Sequence, residues 1–456
     1  MSRARFLTKK GGGSVFTKKD IWALLWPLVV EQVLTGLMGA ADTFMVSNVG
    51  EAAISGVALV DSLNMLVVYF FSALAAGGTI ICSQYIGQED RGRANLASNQ
   101  VMSASLAFSV VCCLVLTTMR RPILSLIFGR VEADVMDAAD VYLLVTALSY
   151  PVLALYSASA ALFRAAGDSR RPMVVALIAD LLNIAGNAVL IFGFGMGVLG
   201  AALATLASRI VSAAIMLWCQ AKPGQIISLG GPRSYRPDWA MLRRIMRVGL
   251  PSAVENGMFQ FGKLVVQSTV STLGTTAIAA QAITATIDSF EGMPGMAVGI
   301  GLITVAGQCI GRGRPDEAKR YMKMFDRISL GIALVMAVTV SAGIPYITRL
   351  TALTPEGRVL VCRISWFVAA VRVIFWPTAF TLPNGLRAAG DVAYTMWVGT
   401  ASMWCLRVAL SWYLCRYTSL GLWGIWIGWC SDWVLRAVCF QFRLRGDKWR
   451  MHDVLR

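Results

Sequence analysis

Histidine is almost missing. The chain has one, His452, in 456 residues. A His-based metal site or a Ser-His nucleophilic pair is therefore excluded, and with it the commonest hydrolase designs. Charge is scarce as well: Asp, Glu, Lys and Arg make up 14% of the chain, against about 25% in an ordinary soluble domain. Acids are the scarcer sign, 25 against 41 Lys and Arg, for a formal net charge of +16. That excess does not read as a nucleic-acid surface, because the basic residues sit in short loops between apolar runs, as the positive-inside rule demands. What is plentiful is apolar residue, 57% of the chain with a mean hydropathy of +0.64. These values describe an integral membrane protein. The ten Cys residues lie singly inside apolar segments, apart from Cys112-Cys113, and read as small buried residues, not a disulfide framework. No cleavable signal peptide is expected, since the first apolar run is long and carries Glu31 and Asp42.

The chain repeats itself. Pro27 through Glu31 recurs as Pro251 through Glu255, 224 positions later (251 − 27). At the same offset Gly50 falls on Gly274, Gln84 on Gln308 and Gly87 on Gly311. Arg164-Ala165-Ala166-Gly167-Asp168 recurs as Arg387-Ala388-Ala389-Gly390-Asp391, and Gly197 and Gly200 recur as Gly421 and Gly424. Blocks in one order, offset by 224 residues (251 − 27) or 223 (387 − 164), argue for a duplicated unit.

Apolar runs near the ~20 residues a bilayer requires fall near 21–46, 55–82, 96–118, 138–163, 172–193 and 198–219. The second set lies near 246–271, 276–309, 326–347, 359–384, 393–415 and 421–441. The fold expected is all-α and integral to the membrane: twelve transmembrane helices in two six-helix lobes. The sequence divides into a cytoplasmic N-terminal segment (1–20), an N-lobe (21–219), a cytoplasmic linker (220–245), a C-lobe (246–441) and a cytoplasmic tail (442–456). Loops rich in Lys and Arg put both termini on the cytoplasmic side of the plasma or inner membrane. Six helices per half is an even number, so the repeat is parallel. Its pseudo-two-fold axis is expected along the membrane normal, with a cavity between the lobes.

Against this background the polar residues inside the runs stand out. A charge at a lipid-facing helix centre costs roughly 2.5–3.5 kcal/mol, so these groups must line a wet cavity, pair, or be protonated. Glu31, Thr35, Met38 and Asp42 share one face of the first helix. Asp180, Asn183 and Asn187 share a face of the fifth. Asn256, Gln260, Lys263 and Gln267 form a stripe on the seventh, and Gln281, Thr284, Asp288 and Glu291 form one on the eighth. Asp42 reads as a protonatable or cation-binding carboxylate. Glu31 and Glu255 follow Pro27 and Pro251 near helix starts, where an acid also complements the dipole. Glu255 and Lys263, two turns apart, also suit an ion pair. Asp180, Asn183 and Asn187 also suit hydrogen-bonded helix packing. Asp288 and Glu291 also suit pairing with Lys263, Arg363, Arg372 or Arg407, and Asp61 reads as structural.

The chain after residue 20 resembles the multidrug and toxic compound extrusion (MATE) family. The resemblance is carried by Ala41-Asp42-Thr43, Gln84-Tyr85-Ile86-Gly87, Arg164 to Asp168, Asn183 to Asn187 with Ile191-Phe192-Gly193, Gly249-Leu250-Pro251, Gln308 to Gly311 and Leu386 to Asp391. It implies two lobes opening alternately to either face, and export of organic, often cationic or amphipathic compounds driven by inward H⁺ or Na⁺. In that frame Asp42 matches the family's first-helix carboxylate. Glu255 matches the seventh-helix acid of sodium-coupled members, a possible Na⁺ site. Two positions depart from the pattern: Asn187 stands where the family often has Asp, and 359–384 holds no acid where sodium-coupled members use one. The coupling ion therefore stays open between H⁺ and Na⁺. No cofactor, no enzymatic activity and no nucleic-acid partner is expected. The partners expected are a small-molecule substrate and the lipid bilayer, with a monomer sufficient. The rival reading is a flippase for lipid-linked saccharide precursors. An anionic headgroup would want an Arg-lined cavity; the deep groups of the first half are acidic, but Lys263, Arg363, Arg372 and Arg407 keep this reading open.

Overall fold

The structure is a computed structural model that describes residues 14–129, 132–349, 351, 353–451 and 454–455. The first thirteen residues of the expected N-terminal segment, and His452 in the tail, lie outside the described residues. No β-strand occurs among the described residues. The helices are α1 (Lys18–Ser47), α2 (Glu51–Gly87), α3 (Arg91–Thr118), α4 (Arg120–Phe128), α5 (Ala133–Leu148), α6 (Tyr150–Ala165), α7 (Arg170–Asn187) and α8 (Gly197–Ala221). After a linker they resume as α9 (Trp239–Ser271), α10 (Thr275–Gly311), α11 (Pro315–Arg349), α12 (Pro355–Phe380), α13 (Leu382–Ala388), α14 (Val392–Ser402), α15 (Ser411–Tyr417) and α16 (Leu422–Arg445).

These sixteen helices make twelve rods. α3 and α4 share the third, and α5 and α6 share the fourth, bent by 48° at Ser149. Pro151, the second residue of α6, cannot donate to the preceding turn. α12 and α13 share the tenth rod, with Pro383 in the same place in α13. The fifth and eleventh rods each contain π-helical turns, Ala188–Gly193 after α7 and Met403–Leu410 between α14 and α15. Such turns often mark functional sites. Eight helices are long and apolar enough to cross a membrane, nine counting the bent α5–α6 pair, among the described residues. The remaining three rods carry interior charge: Glu255 and Lys263 on α9, Arg407 in the eleventh rod, and Asp432 and Arg436 on α16.

The chain falls into two compact units, Met1–Ala253 and Val254–Arg456, with the division inside α9 just after Pro251. In the first unit, Val46, Val57, Val60, Leu124, Leu143 and Ile191 form an apolar core. The residues after α8 lie against α3. Ser228 N–H donates to Asn95 Oδ1 (2.9 Å), Asp238 N–H to Gln100 Oε1 (3.1 Å), and Gln100 Nε2 to the Arg236 carbonyl (2.7 Å). α9 begins at Trp239, and its first turns pack on α2: a Cβ on Gly77 would stand 2.9 Å from the Ile245 carbonyl oxygen. In the second unit the core is rich in tryptophan, with Trp376, Trp426, Trp429 and Trp433 packed among Val361, Ile364 and Val368. Large apolar side chains such as Val111, Leu114, Leu334, Val335 and Val338 are exposed on α3 and α11, as lipid-facing rods require.

The duplication recurs in backbone geometry. Gly167 and Gly390 close matching turns at φ +87° and +97°, and Gly197 and Gly421 open matching helices at φ +54° and +52°. These are left-handed conformations that favour glycine, which is why the two copies retain it there.

Candidate functional site

In the first unit α1, α7 and α8 bring together a chain of polar groups. Asn187 Nδ2 donates to Asp42 Oδ1 at 2.6 Å and to Asn183 Oδ1 at 3.1 Å. Asn183 Nδ2 donates in turn to Thr205 Oγ1 at 3.1 Å. Asn183 and Asn187 are 0% and 1% exposed, so the chain runs through packed protein and surfaces only at half-buried Asp42. The i, i+4 spacing on α7 makes this possible, because it stacks the two amides on one face. Asn187 Oδ1 is buried without a hydrogen-bond partner, as is Asp180 Oδ2 on the same face of α7. No Lys or Arg lies within 4.0 Å of Asp42, Asp61 or Asp180 among the described residues.

Arg209 stands near this chain. Its Nη1 donates to Ser149 Oγ at 2.5 Å, and it lies within electrostatic reach of Asp61 and Asp42. Asn64 links the neighbourhood, donating to Asp61 Oδ1 at 3.3 Å and accepting from the Tyr150 hydroxyl. The expectation that the deep groups of the first half are purely acidic is corrected here. A lone Arg inside the apolar run 198–219 was the available signal.

Glu31 and Glu255 occupy matching places. Arg164 Nη2 meets Glu31 Oε1 at 2.6 Å, and Arg387 Nη2 meets Glu255 Oε2 at 2.6 Å. Each pair joins the Pro-X-X-X-Glu block to the Arg-Ala-Ala-Gly-Asp block of the same half, and the two glutamates are only 5% and 7% exposed. The partner of Glu255 is thus Arg387, with Arg436 Nη1 at 3.9 Å, and not Lys263. Glu255 has guanidinium groups near both oxygens, a poor donor set for Na⁺. No group of three or more His, Cys, Asp or Glu that could hold a metal ion occurs among the described residues.

The second unit is more heavily paired. Arg372, 1% exposed, bonds Asp288, reaches Glu291 Oε2 at 3.3 Å, and lies over the rings of Trp376 and Trp433 at 5.3 and 5.0 Å. Asp432, 0% exposed, meets Arg407 Nη2 and Arg436 Nε, each at 2.8 Å. Gln281 is buried with its Oε1 unpartnered, whereas Gln260 is half-buried with no hydrogen bond described. Lys263 is exposed, its Nζ 5.0 Å from the Phe259 ring centre. Sequence reasoning missed Thr205, Arg209, Asp432 and Arg436, though a charge inside an apolar run marks the last three. A separate cavity of about 700 Å³ in the first unit, lined by Lys19, Asp168, Ser169, Arg171 and Gln220, includes none of the expected site residues.

Duplicated six-rod bundles, apolar outside and threaded by buried carboxylates and amides, define a multi-pass membrane transporter. The MatE family matches residues 27–189 and again 251–413, with the same 224-residue spacing (251 − 27). The chain belongs to the MatE family. It is 28% identical to the "Probable multidrug resistance protein NorM" of Thermotoga maritima over 446 residues, covering 96% of this chain and 94% of that one. It is 27% identical to the "Uncharacterized transporter YisQ" of Bacillus subtilis, covering 94% of each. Among solved structures it resembles an outward-facing multidrug resistance MATE family transporter, with a TM-score of 0.86 at 21% identity over 94% of this chain and 96% of that one. It also resembles a MOP superfamily transporter from Pyrococcus furiosus, with a TM-score of 0.88 at 21% identity over 96% and 98%. It is a transporter of the multidrug-efflux class, not an enzyme.

Proposed function

We propose that the protein is a cation-coupled antiporter, exchanging inward H⁺ or Na⁺ for outward organic compounds of cationic or amphipathic character. The observation that carries this reading is the contrast among interior carboxylates. Glu31, Glu255, Asp288, Glu291 and Asp432 all have guanidinium partners, whereas Asp42 has a neutral amide. An unpaired carboxylate on a membrane rod needs a cation from elsewhere. A proton, a sodium ion or the positive end of a guest can each meet that need, and only one can do so at a time. Competition for one charge is the coupling.

The surrounding groups favour this role. The oxygens of Asp42, Asn183, Asn187 and Thr205 are hard donors, the kind that suits hard cations, and Asp42 itself takes a proton. Asn187 fixes the orientation of the carboxylate without neutralising it. Each pH unit supplies about 1.4 kcal/mol, and each 100 mV about 2.3 kcal/mol per charge. One ion therefore drives a guest gradient of tenfold to a few hundredfold. Transport proceeds by exposing Asp42 alternately to the two sides of the membrane.

The lobes are 21–219 and 246–441, joined by 220–245. The termini and linker are cytoplasmic, the membrane is the plasma or inner membrane, and one chain suffices. The test is efflux of a fluorescent organic cation from proteoliposomes under an imposed pH gradient or an imposed Na⁺ gradient. One gradient must drive uphill movement of the dye, and its identity assigns the ion. If neither does, the antiport reading is wrong.

A further inference from the structure

The cavity of about 700 Å³ in the first unit lies where α1 begins, where α6 turns into α7, and where α8 runs into the linker. All three places are at one end of the rods, the end read above as cytoplasmic. Trp22 and Trp218, within three residues of the lining residues Lys19 and Gln220, are 59% and 62% exposed. Lys222 Nζ stands 3.4 Å from the centre of the Trp218 ring. Exposed tryptophan at the end of a spanning rod marks the headgroup level of a bilayer.

Five charged residues line the cavity: Lys19, Asp20, Asp168, Arg170 and Arg171. Both acids are already engaged. Asp20 Oδ2 accepts the Thr17 N–H at 2.9 Å and the Thr17 hydroxyl at 2.7 Å, which caps α1. Asp168 Oδ1 accepts the N–H groups of Arg170 and Arg171 at 3.1 and 3.2 Å, and Arg171 Nε lies 3.2 Å from its Oδ2. Lys19 and Arg170 have no carboxylate within 4.0 Å among the described residues. The five charges sum to +1 (3 − 2). Exposed basic residues at this end would by themselves be a solvated edge. The buried wall sets this place apart. Ser169 is 1% exposed, and its Oγ has no hydrogen-bond partner among the described residues. An unmade bond of that kind is costly, and a ligand oxygen would remove the cost. Leu162, Ile226 and Ile227 make the rest of the wall apolar.

The duplication shows what the second copy does instead. There Asp391 is clamped by Arg443 of α16, with Nε at 2.6 Å and Nη2 at 3.0 Å. At the 224-residue spacing that relates α8 to α16, Arg443 falls on Cys219 (443 − 219), so α8 supplies no guanidinium. At the 223-residue spacing of the Arg-Ala-Ala-Gly-Asp blocks, Ser169, Arg170 and Arg171 fall on Val392, Ala393 and Tyr394 (392 − 169). The hydroxyl and both guanidiniums therefore belong to the first copy alone, and they come together where the clamp is missing.

We propose that this cavity binds the phosphate of an anionic phospholipid headgroup, with Lys19, Arg170 and Arg171 as its cationic partners, Ser169 as its hydroxyl donor, and the apolar wall against the glycerol and the start of the chains. A phosphodiester carries one negative charge and brings the five groups to neutrality. A zwitterionic headgroup would bring in addition a cation, for which neither acid is free. The volume is that of a small-molecule site and suits a whole headgroup. Basic pockets between rods at the cytoplasmic face are suited to such lipids.

The experiment is native mass spectrometry of the full chain in detergent, titrated with phosphatidylglycerol or phosphatidylcholine, to give the Kd of the first bound lipid. Phosphatidylglycerol should bind at least about tenfold more tightly, as expected for one charge-assisted bond. Arg170→Gln should weaken it about tenfold and leave phosphatidylcholine within about twofold, and Ser169→Ala should weaken it about two- to tenfold. Arg170→Lys should keep most of the affinity. Neither Arg170→Gln nor Ser169→Ala removes a described side-chain bond, so both should fold. Arg91→Gln removes an exposed cation outside the cavity and should change the affinity less than about twofold. Equal affinity for the two lipids overturns the site. So does an equal loss in Arg170→Gln and Arg91→Gln, which would leave only diffuse surface charge. Soluble glycerol phosphate bound through Arg170, without any preference for phosphatidylglycerol, would make the occupant a free anion and overturn the lipid assignment. None of these outcomes involves transport, so a failure here leaves the antiport reading standing.

Discussion

Replacing Asp432 by Asn keeps the shape of the side chain and removes its charge. Asp432 is fully buried and lies 2.8 Å from both Arg407 and Arg436, which are 1% and 3% exposed. Arg436 keeps Glu255 at 3.9 Å and the Gly399 carbonyl at 2.7 Å, whereas Arg407 keeps the faces of Phe259 and Trp429 and, among the described residues, no carboxylate within 4.0 Å. Removing one partner of a buried ion pair costs about 3–5 kcal/mol, because an uncompensated charge stays behind. A cation–π contact returns about 0.5–2 kcal/mol and is present before and after the change. At about 2–4 °C per kcal/mol for a unit of roughly 200 residues, the melting temperature should fall by about 6–20 °C. The assay is thermal unfolding of the purified protein, followed with a thiol-reactive dye that reports exposure of buried Cys309 and Cys430. Adding Arg407→Met to Asp432→Asn should recover at least half of the loss, since Met fills the slot between the rings without charge. A fall below about 2 °C for the single substitution would mean that water already reaches and screens this cluster. The reading of the second unit as a closed, ion-paired interior would then be refuted.

Asn187→Ala removes the one side-chain hydrogen bond described for Asp42 and leaves buried Asn183 Oδ1 without its donor, so it should lower coupled efflux about tenfold and cost about 1–3 kcal/mol of stability. Efflux from intact cells expressing the variant checks this. Gly77→Ala places a methyl group 2.9 Å from the Ile245 carbonyl oxygen, where α2 and α9 backbones meet. It should destabilise the first unit by about 1–3 kcal/mol, as overpacking does, seen as earlier thermal exposure of buried Cys82.

Much of this was legible in the sequence because membrane rods leave few choices. A spanning helix must be apolar for about 20 residues, so any carboxylate or amide inside one is conspicuous, and helical spacing gives its face. That is why Asp42, Asn183 and Asn187 were read as polar stripes, and why the structure brings those three together. Partner choice was not legible. Glu31 and Arg164 are 133 residues apart, and only the fold decides that they meet. The repeat held a clue, because the same Glu and Arg recur together at Glu255 and Arg387. Arg209, Asp432 and Arg436 were overlooked for a different reason. Arg209 stands alone in its run, and Asp432 and Arg436, one turn apart, belong to no longer stripe; their other partners are on neighbouring rods. The π-helical turns also escaped detection, since no single residue type specifies them.

The most direct measurement is gradient-driven transport of a cationic dye by Asp42→Asn in proteoliposomes, beside the native protein. With the charge gone and the side chain's size kept, ion and guest lose the α1 carboxylate for which they compete. Uphill transport should disappear under both pH and Na⁺ gradients while the protein still melts within a few degrees of native. Uphill transport at the native rate would contradict the claim that a single unpaired acid on α1 couples the two flows.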